Sequence, residues 1–205
     1  MSRYNEQKCR MCRREGVKLF LKGERCHSEK CPITKKKFIK TKNLKLSNYG
    51  RQLREKQKMK RYYGIKEAQF RLYFDRAFKM KGITGDNLLK LLELRFDNII
   101  YRCKLAKSRA QARQFITHGM FKINGEVINI PSYSLKPNSI IELSDKGLKN
   151  EILKLIIAEN ENATPEVEWL SFDYQNKKGQ VLREPSRNDI TMTFNEQLVV
   201  EFYSK

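Results

Sequence analysis

The chain has 205 residues, room for one large domain or two small ones, and a chain of this length buries about 70% of its unfolded surface. Its 43 Lys plus Arg against 23 Asp plus Glu give a net charge of +20, which excludes an ordinary near-neutral globular domain and points to a polyanionic partner. No stretch approaches the roughly 18 apolar residues of a membrane span, and Met1-Ser2-Arg3-Tyr4-Asn5-Glu6 lacks the apolar core of a signal peptide. The expected setting is the cytoplasm.

The charge is uneven. Residues 1–66 hold 22 basic and 5 acidic side chains, residues 67–150 hold 15 and 8, and residues 151–205 hold 6 and 10. Each Lys or Arg set against a phosphate releases a condensed counterion, so a basic first third favours nucleic acid at moderate salt.

Five cysteines are too few and too clustered for a disulfide framework in a reducing compartment. Cys9 and Cys12 form C-x2-C, and Cys26 and Cys31 form C-x4-C. Two such turns can supply the tetrahedral four-sulfur set that Zn²⁺ prefers, and with all four positions filled by protein the ion would be structural. Arg10, Arg13, Arg14 and Arg25 would offset the thiolate charge. His27 is a rival ligand whose adjacency to Cys26 makes simultaneous binding awkward, and some iron-sulfur proteins also use four cysteines.

Thr34 to Lys42, with Lys35, Lys36 and Lys37, reads as an extended basic arm ordered by RNA. Tyr49 to Tyr63 predicts a helix stopped by Gly64, mostly cationic apart from Tyr49, Leu53 and Tyr63. Phe70, Phe74, Ala77 and Phe78 recur at helical spacing within a second helix, Ile65 to Lys81. Thr84 caps a third, leucine-rich one from Gly85 to Arg95.

Phe96 to Cys103 looks helical, and Cys103 reads as a small buried residue. Ser108 then caps a helix through Arg109, Ala112, Arg113, Phe115 and Ile116 to His118, closed by Gly119. Phe121 to Ile128 is a hairpin, since Asn124-Gly125 tolerates the positive φ of a type I′ turn. A strand over 139–143, a helix over 146–160, a second hairpin from 170–174 to 180–183 and a final strand from Gln197 to Tyr203 complete the prediction.

Arg102, Lys104, Lys107, Arg109, Arg113 and Lys122, with Ser108 and His118, would gather cations beside the N–H groups of a helix N-terminus, an arrangement suited to phosphate oxygens. Arg3, Lys22, Arg51, Arg54, Lys58 and Arg61 join Arg10, Arg13, Arg14, Arg25 and Lys35–Lys37 as candidate RNA contacts upstream. Tyr49, Tyr62 and Tyr63 are available for stacking on unpaired bases.

Here the residues carry a resemblance. Arg95-Phe96-Asp97-Asn98, Ser108 to Gly119 and Lys122-Ile123-Asn124-Gly125 resemble the small RNA-binding domain of small-subunit ribosomal protein four. The likeness extends to the paired cysteines, Arg13 to Lys18, Leu53 to Lys58, Tyr63-Gly64-Ile65 and Asn195 to Ser204, nearly the whole chain, and is to the bacterial-type, zinc-binding form. It implies an α+β protein: a mostly helical first domain with an N-terminal zinc knuckle, and an inserted RNA-binding domain of helices packed on a short β-sheet. The implied boundaries are a knuckle and arm at 1–46, a helical domain at 47–93 completed by about 176–205, an RNA-binding domain at 94–157 and a connector at 158–175. It further implies a structural constituent of the small ribosomal subunit that binds the 5′ domain of its RNA early in assembly. Small-subunit proteins three and five, and mRNA near the channel by which it enters, would be its neighbours.

An enzyme is not expected. Two histidines, no glycine-rich phosphate loop and no acid/base pair in a recognisable motif leave little for catalysis. A zinc-dependent DNA-binding regulator fits less well, because the spacing is not that of a finger with two cysteine and two histidine ligands, and no dimerising heptad follows.

Overall fold

The protein is described from a computed structural model covering residues 7–35, 46–161 and 165–204. It divides into two compact units: the first combines residues up to Leu88 with those from Met192, and the second runs from Leu89 to Thr191.

In the first unit, α1 (Lys8–Glu15) ends at Gly16 in the left-handed conformation, and a 3₁₀ turn, Gly23–Cys26, follows. α2 (Asn48–Tyr63) begins where the Ser47 hydroxyl accepts the Gly50 N–H and ends at Gly64, whose φ of 62° a side chain would disfavour. α3 (Glu67–Lys79) buries Phe70, Tyr73, Phe74 and Ala77, one stripe of a 3.6-residue period. Phe78, expected on that stripe, is instead exposed. α4 (Thr84–Glu93) runs across the division between the units.

The segment expected as a final strand is a helix, α9 (Glu196–Tyr203), started by the Asn195 side chain accepting the Leu198 N–H. It packs along α2: Gln52 donates to Glu201, the Lys56 ammonium sits 4.4 Å over the Phe202 ring, and the Tyr203 ring stacks on Phe74 at 4.6 Å. Gly85 permits this approach from α4, because a Cβ there would press on that of Glu196. Tyr62 and Tyr63 meet Phe194 in the core, so of the three tyrosines expected to face bases only Tyr49 is exposed.

In the second unit, α5 (Phe96–Arg102) and α6 (Arg109–Thr117) precede the hairpin β1 (Phe121–Ile123) and β2 (Glu126–Val127). The hairpin turn carries positive φ at both Asn124 and Gly125, as a type I′ turn requires. After β3 (Ile140–Leu143), the predicted single helix is two, α7 (Asp145–Lys149) and α8 (Glu151–Glu159). Asn150 is extended and its side chain caps α8, which breaks the run.

β4 (Leu170–Asp173) and β5 (Lys178–Val181) complete a five-stranded antiparallel sheet in the order β2-β1-β3-β5-β4. Because β5 pairs with β3, residues 158–191 belong to this unit rather than forming a connector and a return to the first domain. One sheet face, with Phe121, Ile123, Ile141, Leu143, Leu170, Phe172 and Val181, joins Trp169 and the apolar sides of α5, α6 and α8 in the core.

Candidate nucleic-acid interface and metal centre

The structure sorts the candidate cations by a simple criterion: a cation already paired with a buried carboxylate has less charge and fewer free donors to offer a phosphate. Asp97, at the start of α5 and 1% exposed, accepts from Arg95 Nη2 at 2.9 Å and from Arg113 Nε at 2.5 Å. Burial alone would raise its pKa, but the charges of Arg95 and Arg113 and their hydrogen bonds outweigh it and hold the carboxyl below the usual aspartate range. Arg102 is 1% exposed and forks onto Glu93, with Nη2 to Oε1 at 2.9 Å and Nε to Oε2 at 3.2 Å. Glu93 also accepts from Asn98, whose Oδ1 takes the Arg109 Nε proton at 2.8 Å. The Arg109 guanidinium lies 4.4 Å over the Tyr101 ring.

Arg102, forked onto Glu93, and Arg109, 5% exposed and bonded to Asn98, are buried in the fold, where the spacing had suggested exposed phosphate contacts. Arg113, 27% exposed, reaches the surface with Asp97 behind it. Lys107 is exposed and pairs with Glu159 at 3.2 Å, and Lys122 lies 3.9 Å from the exposed Asp145. Lys104, half-buried and at a left-handed φ of 51°, has no ion-pair partner among the described residues. Ser108 caps α6 by accepting the Gln111 N–H, while the Gln111 side chain accepts the Lys107 N–H at 2.7 Å, leaving the helix start ordered beside these lysines. His118 is exposed at the other end, before Gly119.

In the first unit the same sorting applies. Arg61 and Arg54 both bond Glu15, whose side chain is buried between α1 and α2. Burial outweighs the two guanidiniums there, so the Glu15 carboxyl sits above the usual glutamate range. Lys58 pairs with Glu55 at 2.5 Å, and Arg51 bonds the Asn48 side chain. By contrast Arg10, Arg14, Lys22, Arg25 and Lys35 are exposed with no ion-pair partner among the described residues, and Arg13 is half-buried. Arg3, Lys36 and Lys37, with most of the basic arm, lie outside the described residues.

The four paired cysteines sit in this basic nodule, Cys9 and Cys12 on α1 and Cys26 and Cys31 on the turns that follow. Burial raises the Cys12 thiol, and the nearby Cys26, Cys9 and Cys31 add to it. Burial also acts on Cys31, but N–H groups of Ile33 and Thr34 and the charge of Lys18 outweigh it and draw that thiol below the usual range. The Lys22 N–H donates to Cys26 Sγ at 3.3 Å, and the backbone at Leu19 bonds Cys12. Three of the four sulfurs thus accept backbone hydrogen bonds, as thiolate ligands do. Among the described residues, however, no group of three or more His, Cys, Asp or Glu side chains is arranged to hold a metal ion. Cys103, separate in the second unit, is fully buried, and burial pushes its thiol up to about 12.

An exposed basic nodule and a capped helix flanked by lysines, with buried ion pairs tying α5 to its neighbours, present the kind of positive charge that a polyanion would meet. Comparison makes the class specific. Residues 3–93 match the family described as ribosomal protein S4/S9 N-terminal domain, and residues 94–141 match the S4 domain. The chain is 49% identical to small ribosomal subunit protein uS4A of Alkaliphilus metalliredigens, 48% to uS4 of Clostridium tetani and 49% to uS4 of Thermodesulfovibrio yellowstonii, with 100% of both chains covered in each case. The chain belongs to the ribosomal protein uS4 family. Among the described residues no helix is long and apolar enough to cross a membrane.

Proposed function

We propose that the protein is a structural constituent of the small ribosomal subunit and a primary binder of the 5′ domain of its RNA, nucleating assembly at a junction of RNA helices. Small-subunit proteins three and five, and mRNA near its channel into the subunit, are its neighbours in this reading, which places it in the cytoplasm. The observation that carries the RNA contact is the set of cations without ion-pair partners among the described residues: the exposed Arg10, Arg14, Lys22, Arg25 and Lys35 on the nodule, and the half-buried Lys104 before α6. Crowded phosphates where RNA helices meet are neutralised by such cations, and a folded protein that binds the compact junction better than the open one stabilises the compact RNA by linkage. Recognition is then mainly of backbone and shape.

The nodule is proposed to be completed by one structural Zn²⁺ on Cys9, Cys12, Cys26 and Cys31, supported by their paired spacing and the N–H donors on three of the sulfurs. The ion would supply order and no chemistry. Replacing Cys9 and Cys12 with serine is expected to abolish stoichiometric zinc and expose residues 7–35 to protease. A parent protein without zinc, as resistant as the variant, would refute the assignment.

The RNA reading is tested by affinity for the 5′ domain of small-subunit RNA beside an unrelated structured RNA of equal length, over a salt series with magnesium. A preference of roughly a thousandfold or more is expected. Equal affinities that collapse together with salt would reduce the protein to a generic polycation.

A further inference from the structure

We propose that the outer face of α3, which the spacing of its sequence marks only as the back of a core helix, is a second RNA-contacting surface of the first unit. This rests on the reading of the protein as an RNA binder and adds a site to it. Arg71, Arg76, Lys79 and Lys81 are all exposed, and none has an ion-pair partner among the described residues. The contrast with α2 is direct: Arg54, Lys56, Lys58, Lys60 and Arg61 are all engaged by Glu15, Glu55 or Glu67. The strongly basic sequence of α2 is therefore largely neutralised internally, whereas α3 presents its positive charge outward.

Geometry supports one continuous surface. Tyr73, Ala77, Phe70 and Phe74 occupy one side of α3 and are buried, which puts Arg71, Lys79, Leu72 and Arg76 on the opposite arc with Asp75 as the single acid among them. The Arg76 guanidinium rests 6.0 Å over the Tyr73 ring, which limits its freedom before any partner arrives. Phe78, 65% exposed, is backed by the Phe74 ring at 6.3 Å in a stacked arrangement, so an aromatic face stands fixed at the edge of the cationic arc. Exposed cations beside a supported ring are the components of a backbone-tracking surface with one stacking position for an unpaired base. The cations alone would suit any polyanion, and the supported Phe78 ring beside them, a stacking position for a base, favours RNA over an acidic polypeptide, which would dock on the exposed Leu72 and Ile83 instead.

The test uses the full-length protein, the 5′ domain of small-subunit RNA and two variants. In Arg71→Gln/Arg76→Gln/Lys79→Gln/Lys81→Gln, glutamine keeps the helix propensity of α3 and every side chain replaced is exposed, so the thermal midpoint should change little beyond the loss of the Arg76 contact with Tyr73. Its slope of log K against log salt should fall by about 0.7–0.9 for every phosphate that is no longer neutralised. Phe78→Ala should weaken binding several-fold at every salt concentration without changing the slope. Failure of the parent protein to prefer this RNA would overturn the underlying reading. Parental binding with an unchanged slope in the quadruple variant would overturn the α3 proposal alone. That second outcome, combined with loss of the variant from reconstituted subunits, would assign the face to an acidic protein neighbour.

Discussion

Asp97→Asn isolates the buried ion pairs of the second unit. The substitution keeps shape but removes the charge that Arg95 and Arg113 share, leaving a guanidinium buried beside a neutral amide. Breaking such a pair costs about 3–5 kcal/mol, and because Arg113 still reaches water the lower end applies, about 3 kcal/mol. For a unit of about 100 residues 1 kcal/mol corresponds to about 4–8 °C, so the midpoint should fall by about 12–24 °C. Trp169, the only tryptophan and fully buried in this unit, reports the transition by fluorescence. The pH profile supplies a second check. A carboxyl held below its ordinary pKa contributes stability that is complete above the unfolded value of about 3.9 and is lost as pH falls through the folded value. The gap between parent and variant should therefore narrow below about pH 4. A fall of less than about 3 °C at neutral pH, or a gap constant down to about pH 3, would refute the reasoning.

Arg109→Ala leaves the Asn98 carbonyl without its donor and removes the guanidinium from Tyr101; it should lower the same midpoint by several degrees. Arg10→Gln with Arg14→Gln should leave the midpoint unchanged and reduce the salt slope of RNA binding by about 0.7–0.9 for each phosphate released. Gly147→Ala would drive a Cβ into the Met120 carbonyl oxygen, costing about 1–3 kcal/mol, read by denaturant unfolding of the second unit. The Glu67 carboxyl is raised by burial but brought down to about 2 by Lys56, Lys60 and Tyr203. Its contribution is present above the unfolded value of about 4.3 and lost as pH falls toward the folded value. Since the side chain is nearly half exposed, the effect on α9 should stay below about 1 kcal/mol, measured as amide-exchange protection factors against pH and absent in Glu67→Gln.

Much of the fold was legible because short-range chemistry dictates it. Ser47, Ser108 and Gly64 cap helices where their side chains or freedom at positive φ require, and Asn124-Gly125 forces its hairpin. The final helix was not legible because Leu198-Val199-Val200 reads as strand, and only packing against α2 overrides that preference. The hairpin from β4 to β5 was visible, but its place beside β3 is a long-range pairing that no local pattern encodes. The candidate interface divided in the same way. Charge density located the nodule, whereas the engagement of Arg102 by Glu93 and of Arg61 by Glu15 joins residues 9 and 46 positions apart. Counting cations could not reveal which of them were already neutralised.

The first unit is assembled from two stretches of chain, with α9 closing against α2 after the whole of Leu89–Thr191 has intervened. A ribosome making this protein releases the sequence of α2 and α3 early, yet the partner that covers Phe74 and Lys56 is synthesised more than a hundred residues later. The second unit, continuous in sequence, has all its strands available sooner and can fold first, against the usual N-to-C order. Until α9 arrives, the aromatic side of α3 lacks the Tyr203 ring that stacks on Phe74, so the newborn chain passes through an interval in which its first unit is sticky.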